Sequence, residues 1–194
     1  FLNKYKIIIN CSGENYDNKK MIKSNVIFIK KLLNFINHRA TLIHLSSCSV
    51  YGKQNFMGKE IFLESSICNP KTPYEKSKYL VEKVIIDKAH KNKKFNFIIL
   101  RPAQVIGKKM RSNSIRILKK VVKKKIFFYI NDKESIRSYT SVEDLANIIQ
   151  IIIKKEKKKN FIFNITDNIP LFDIVNTINK SIGAQSTQIA LPKF

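Results

Sequence analysis

The apolar residues of this chain fall into short blocks whose spacing alternates between two periods. Tyr5 to Asn10, Thr41 to Leu45, Phe95 to Leu100, Ile126 to Ile130 and Phe161 to Ile165 are short runs rich in β-branched and aromatic side chains, and they read as buried strands. Between the first two, Met21 to Ile36 carries Ile22, Val26, Ile29, Leu33 and Ile36 three or four apart, the stripe of an amphipathic helix. Pro73 to about Lys91 reads as a second helix, because proline suits the first helical turn, where a missing N–H costs nothing. Three more helices follow. Lys108 to Lys125 presents Ile115, Leu118 and Val122, the helix ending near Lys155 opens on the capping-box pattern Ser141-Val142-Glu143-Asp144, and Leu171 to Ile182 stops at Gly183. Strand, helix, strand, helix, strand is the order of a parallel doubly wound sheet, an α/β fold. Residues 53 to 72 read as a long polar loop, a length that usually serves a site, and they are expected to form one wall of it.

Composition narrows the class. At 194 residues with 44% hydrophobic content, the chain is long enough to fold around a real core. Its formal charge of +23 invites a nucleic-acid reading, since such a field attracts phosphate backbones. Only 5 of the 37 basic residues are Arg, the forked side chain suited to base edges, and the Lys residues are scattered over predicted helix faces and loops, including the run from Lys154 to Lys159. A solvated basic surface is the better account, so no nucleic-acid partner is expected. Cys11, Cys48 and Cys68 form neither a disulfide framework nor a metal-ligand spacing, which fits a reducing cytoplasm and no metal. No apolar run approaches the roughly 20 residues that span a bilayer, so no membrane partner is expected either.

The candidate chemistry lies between Ser46 and Lys78. Tyr74 and Lys78 are one turn apart on a single helix face, a phenol beside an ammonium that would favour the phenolate and lower the tyrosine pKa. A hydroxyl arriving from the preceding strand could bond the same substrate oxygen. Ser47 is the best placed, with Ser46 and Ser49 as substitutes. The spacing alone is weak evidence, because Tyr16/Lys20, Tyr79/Lys83 and Tyr129/Lys133 repeat it. Only Tyr74/Lys78 follows a strand ending in small hydroxyl residues and precedes one ending in Arg101-Pro102. Those serines lie at a strand's carboxyl end, where open α/β sheets bind ligands.

Four segments come in a familiar order: Ser46-Ser47-Cys48-Ser49-Val50-Tyr51-Gly52, Pro73-Tyr74-Glu75-Lys76-Ser77-Lys78, Leu100-Arg101-Pro102-Ala103-Gln104-Val105-Ile106-Gly107, and Arg137-Ser138-Tyr139-Thr140-Ser141-Val142-Glu143-Asp144-Leu145-Ala146. Together they resemble the extended short-chain dehydrogenase/reductases, in particular the NAD-dependent epimerase/dehydratase family, which acts largely on nucleotide sugars. The resemblance implies a Rossmann-type doubly wound domain over residues 1–107 and 139–167 and a small substrate-binding portion over 108–138 and 168–194. It implies NAD or NADP as cofactor and Ser47, Tyr74 and Lys78 as the catalytic triad. Cys11, Ser12, Gly13, Asn25, Arg101 and Pro102 would join Tyr74 and Lys78 around that cofactor, while Ser47, Ser49, Gln104 and Arg137 would contact a nucleotide-sugar substrate. Asn25 would position the lysine through its surroundings, with an exposed polar residue as the alternative. A homodimer through the helices around Tyr74 is also implied.

Two departures from the family pattern shape these expectations. No glycine-rich phosphate turn occurs anywhere in the chain, and the first strand corresponds to the family's fourth, so the sequence reads as a piece lacking the first three strands and the usual C-terminal end. A non-catalytic dinucleotide-binding relative, a sensor or scaffold, is therefore the alternative function. The 4,6-dehydratases carry an Asp-Glu pair after the catalytic hydroxyl; Cys48 and Ser49 stand there instead, which disfavours dehydration and leaves epimerisation or ketone reduction. Met110-Arg111-Ser112-Asn113 with Ile136-Arg137-Ser138-Tyr139 adds a likeness to 4-keto sugar reductases.

Overall fold

A computed structural model describes residues 2–37, 39–52, 61–108, 113–130, 133–155 and 160–192. Met110, Arg111 and Ser112, residues 53–60 of the polar loop and Lys157 to Lys159 of the basic run lie outside the described residues. The chain divides into two compact units: residues 1–103 with 144–165, and residues 104–143 with 166–194.

The first unit is built on a parallel sheet in the order β1 (Ile7–Asn10), β2 (Thr41–Leu45), β3 (Asn96–Pro102) and β7 (Phe161–Ile165). Register is fixed by pairs such as Asn10 with His44, His44 with Ile99 and Arg101 with Asn164. Helices α1 (Asn18–Phe35) and α2 (Pro73–Lys91) supply Ile29, Leu33, Val81 and Ile85 to a core with Leu42, Phe97 and Ile99 from the strands. The buried stripe of α1 runs Met21, Asn25, Ile29, Leu33. Asn25 is therefore on the inner face, and the exposed alternative is overturned. Among the described residues no helix is long and apolar enough to cross a membrane.

In the second unit β4 (Gln104–Ile106) runs parallel to β6 (Ile136–Ser141), which pairs antiparallel with β8 (Asp167–Pro170). A separate parallel pair joins β5 (Ile126–Ile130) to β9 (Thr187–Leu191). Val122 of α3 (Asn113–Val122) and Val175 of α5 (Leu171–Ile182) are fully buried in its core with Phe127, Tyr129 and Tyr139. Gly183 caps α5 in the left-handed conformation, φ 61°, which glycine adopts without a steric penalty. Helix α4 (Val142–Lys154) begins directly after β6 and carries the chain back into the first unit.

Candidate active site

Two local devices fix the polar groups at the carboxyl end of β2. The chain leaves that strand through Ser46 and turns into a 3-10 helix, Cys48–Tyr51, whose N-cap is Ser47. The Ser47 hydroxyl accepts the Ser49 amide at 3.2 Å, which leaves its own proton free to donate. Helix α2 starts at a full capping box: Thr72 Oγ1 accepts the Glu75 amide at 3.3 Å, and Glu75 Oε2 accepts the amides of Thr72 and Lys71 at 3.0 and 2.6 Å. Tyr74 follows immediately, half-buried, with the Ser47 side chain acting on its phenol.

One turn on, Lys78 is only 8% exposed and donates from Nζ to the Leu45 carbonyl at 2.9 Å. Its ammonium lies 5.9 Å from the centre of the Tyr74 ring. The electrostatics correct one expectation. Burial holds the Tyr74 phenol above its ordinary range, and the neighbouring Ser47 hydroxyl pulls it only part of the way back. Burial likewise pushes the Lys78 ammonium down, against the pull of Cys11 and Glu82. The Ser47 hydroxyl is the neighbour that favours ionisation of the Tyr74 phenol.

Around Lys78 the expected residues converge. Asn25 accepts the Glu14 amide at 2.7 Å and donates to the Glu14 carbonyl and to Ser77 Oγ, both at 3.0 Å, so it ties the segment after β1 to α2 beside Lys78. A Cβ on Gly13 would stand 3.3 Å from Lys78 Nζ. Ser12 folds back on Asn10, its hydroxyl 2.6 Å from Asn10 Oδ1, and Cys11 is exposed. Asn10, Ser12, Gly13, Asn25, His44 and Lys78 line a cavity of about 210 Å³ in the first unit.

Arg101 behaves differently from its expected role. It is 3% exposed, and its guanidinium donates to Glu82 through Nε at 3.0 Å and Nη2 at 2.7 Å, and through Nη1 to Tyr51 Oη at 2.7 Å and the Glu64 carbonyl at 3.3 Å. That side chain is committed to the interior and is withdrawn from the cofactor set. Pro102 is buried at the end of β3. Ser46 is 4% exposed and donates to Glu82 Oε1, which removes it as a substitute for Ser47. Ser49 Oγ is buried and without a partner among the described residues. Gln104 and Arg137 lie exposed in the second unit, on β4 and β6, with Gln104 Nε2 2.6 Å from Ser114 Oγ.

His44 and Glu82 escape the sequence reading. His44 is 2% exposed, bonded through Nδ1 to Asn10 Nδ2 at 3.1 Å, while its Nε2 has no partner among the described residues. Its signal is visible in retrospect, a titratable residue inside a strand of apolar neighbours. Glu82 has none, being one of three acidic residues in a Lys-rich helix. No group of three His, Cys, Asp or Glu side chains among the described residues could hold a metal ion.

Known structures share this fold at low identity. The UDP-Glc/GlcNAc 4-epimerase from the human pathogen Campylobacter jejuni superposes with a TM-score of 0.79 at 18% identity, over 98% of this chain and 66% of its own. The UDP-glucuronic acid 4-epimerase from Bacillus cereus, in complex with NAD, gives 0.75 at 20% identity, over 98% and 64%. RMD from Pseudomonas aeruginosa, complexed with NADPH, gives 0.74 at 16% identity, over 99% and 73%. The chain thus spans about two thirds of the length of such proteins. No curated protein matches it in sequence. Residues 3–166 match the model of the NAD dependent epimerase/dehydratase family, and on that match the chain belongs to it.

Proposed function

We propose that this chain carries the proton-transfer groups of an NAD(P)-dependent nucleotide-sugar epimerase or 4-ketoreductase. The observation that carries the reading is the convergence of three groups: Tyr74 and Lys78 one turn apart on α2, Lys78 anchored on the Leu45 carbonyl, and the Ser47 hydroxyl from the end of β2 acting on the Tyr74 phenol. Two hydroxyls brought together from different elements form a ready site for a sugar oxygen. Tyr74 gives or takes the proton at its Oη, and Ser47 orients the oxygen. Lys78, anchored on Leu45 O, keeps the remaining hydrogens of its ammonium for a ligand.

The residues fit one end of a dinucleotide. The glycine at position 13 leaves the space beside Lys78 Nζ clear, as a ribose there would need, and Asn25 holds the neighbouring backbone. A bound nicotinamide supplies hydride chemistry at the sugar carbon. Nothing in the chain supplies the glycine turn for the pyrophosphate. Gln104, Arg137 and Ser49 are assigned to the nucleotide-sugar substrate, Arg137 because an exposed guanidinium suits a diphosphate. The free thiols of Cys11, Cys48 and Cys68 fit the cytoplasm.

A panel of UDP sugars given to the full-length protein with NAD(H) or NADP(H) tests the reading. Turnover is expected, with a loss of at least 100-fold in Tyr74→Phe; turnover that survives that substitution refutes the assigned chemistry. Tight cofactor binding without turnover on any sugar supports the alternative, a non-catalytic relative. A homodimer through α1 and α2 belongs to the same reading, since Phe28 (46%), Phe35 (64%) and Leu80 (39%) stand exposed on these helices. Sedimentation velocity is expected to give a dimer that Phe28→Asp with Phe35→Asp dissociates, and a monomeric wild type would exclude it.

A further inference from the structure

Three turns of α2 each grip one residue of the strand end opposite. Tyr74 meets Ser47, Lys78 donates to the Leu45 carbonyl, and Glu82 takes the hydroxyl of Ser46. The first two grips have a place in the proposed chemistry; the third does not. Glu82 cannot reach a substrate. It is 1% exposed, and both its oxygens are occupied, Oε1 by Ser46 and Arg101 Nε and Oε2 by Arg101 Nη2.

The other half of the ion pair acts on the same turn. Arg101 Nη1 donates to the Tyr51 hydroxyl at 2.7 Å, and Tyr51 Oη in turn donates to Asn164 Oδ1 on β7 at 2.8 Å. Ser46 immediately precedes Ser47, the N-cap of the 3-10 turn, and Tyr51 is its last residue. One buried ion pair thus holds the turn at both ends, the carboxylate before its first residue and the guanidinium on its last. A buried ion pair is a poor source of net stability, because desolvating two charges offsets most of their attraction and apolar residues of similar size usually serve as well. What it provides beyond an apolar contact is direction, since the guanidinium fork and the carboxylate fix each other in a plane.

We propose that Glu82 is a positioning residue for the Ser47–Tyr74 pair, acting through Ser46, with Arg101 setting the far end of the same turn. The proposal rests on the assignment of Ser47 and Tyr74 above. Ser46→Ala tests it, because it cuts the link and leaves the ion pair intact. The readout is the titration of Tyr74 in the full chain, followed by carbon NMR of tyrosine labelled at Cζ and assigned with Tyr74→Phe; a merely structural role would leave it in place. Ser47→Ala, which deletes the hydroxyl outright, is expected to raise the Tyr74 midpoint by up to about one pH unit, the equivalent of one ordinary hydrogen bond. Ser46→Ala is expected to move it the same way by about half as much, with the fold retained. A Ser46→Ala protein that titrates like the wild type while Ser47→Ala is shifted overturns the proposal and leaves the Ser47–Tyr74 pair standing. If neither variant shifts, the pair itself is absent and the functional reading falls with it. Glu82→Gln is a second test: an upward shift supports the proposal, and an unshifted Tyr74 overturns it.

Discussion

His44 makes the stability of this protein sensitive to mild acid. Its imidazole is 2% exposed, between β1 and β3 in the sheet, and burial, with a smaller contribution from the Lys78 ammonium, pulls its pKa down to about 3. In an unfolded chain the same group titrates near 6.5. Between those two values the unfolded state binds a proton that the folded state refuses, so stability is complete above about pH 6.5 and falls as the pH drops toward 3. Each pH unit inside that window costs about 1.4 kcal/mol, so going from neutral pH to pH 5 costs about 2 kcal/mol from this one side chain. With a urea slope near 2 kcal/mol per molar, the unfolding midpoint moves by about 1 M. Equilibrium urea unfolding of the wild type and of His44→Gln at pH 7 and pH 5 measures it. Glutamine does not titrate and keeps an acceptor for Asn10, so its midpoint is expected to move far less than that of the wild type. Glu14 and Glu64, whose pKa values are lowered chiefly by backbone hydrogen bonds, lose their contributions only at lower pH, and equally in both proteins. Equal shifts in the two proteins would refute the argument, because they would place the proton elsewhere.

Two further substitutions follow from the same structure. Arg101→Met strands the Glu82 carboxylate in the core and is expected to cost about 3–5 kcal/mol in chemical denaturation, while Arg101→Met with Glu82→Leu costs much less than the sum of the two single changes; additive losses would mean that the charges are not coupled. Gly52 has φ 73°, and a Cβ there would fall 2.0 Å from the Asn69 carbonyl oxygen, so Gly52→Ala is expected to lower stability by more than the roughly 1–2 kcal/mol of the left-handed conformation alone. A thermal melt unchanged by that substitution would show that the contact relaxes freely.

What the sequence makes legible divides along a physical line. Thr41–Leu45, Ile126–Ile130, Phe161–Ile165 and the helices Pro73–Lys91 and Leu171–Ile182 emerge residue for residue, because local period and end signals specify each of them. Strands β4, β6, β8 and β9 do not emerge. Each is short or interrupted by polar residues, Gln104, Arg137, Asp167 and Gln188 among them, and partners far along the chain define them, Gln104 with Tyr139, Arg137 with Ile169 and Phe127 with Gln188. The same distinction runs through the site. Tyr74 and Lys78 stand out by spacing and context, whereas Glu82 looks like any surface charge until Arg101, 19 residues later, folds onto it. The direction of the Tyr74 pKa is also beyond sequence reasoning, since adjacency on a helix face says nothing of where the Lys78 ammonium points, and here it points at Leu45 O.

Helix α2 carries Tyr74 and Lys78 on one side of a stripe that continues into Val81, Ile85 and Ala89, the wall of the first unit's core. Reactive groups on such an element have no private route of opening. Amide exchange along α2 will run at the slow limit set by whole-unit unfolding, and on warming the site will vanish together with the near-ultraviolet signature of the packed aromatic rings, with no inactivated but still folded species in between.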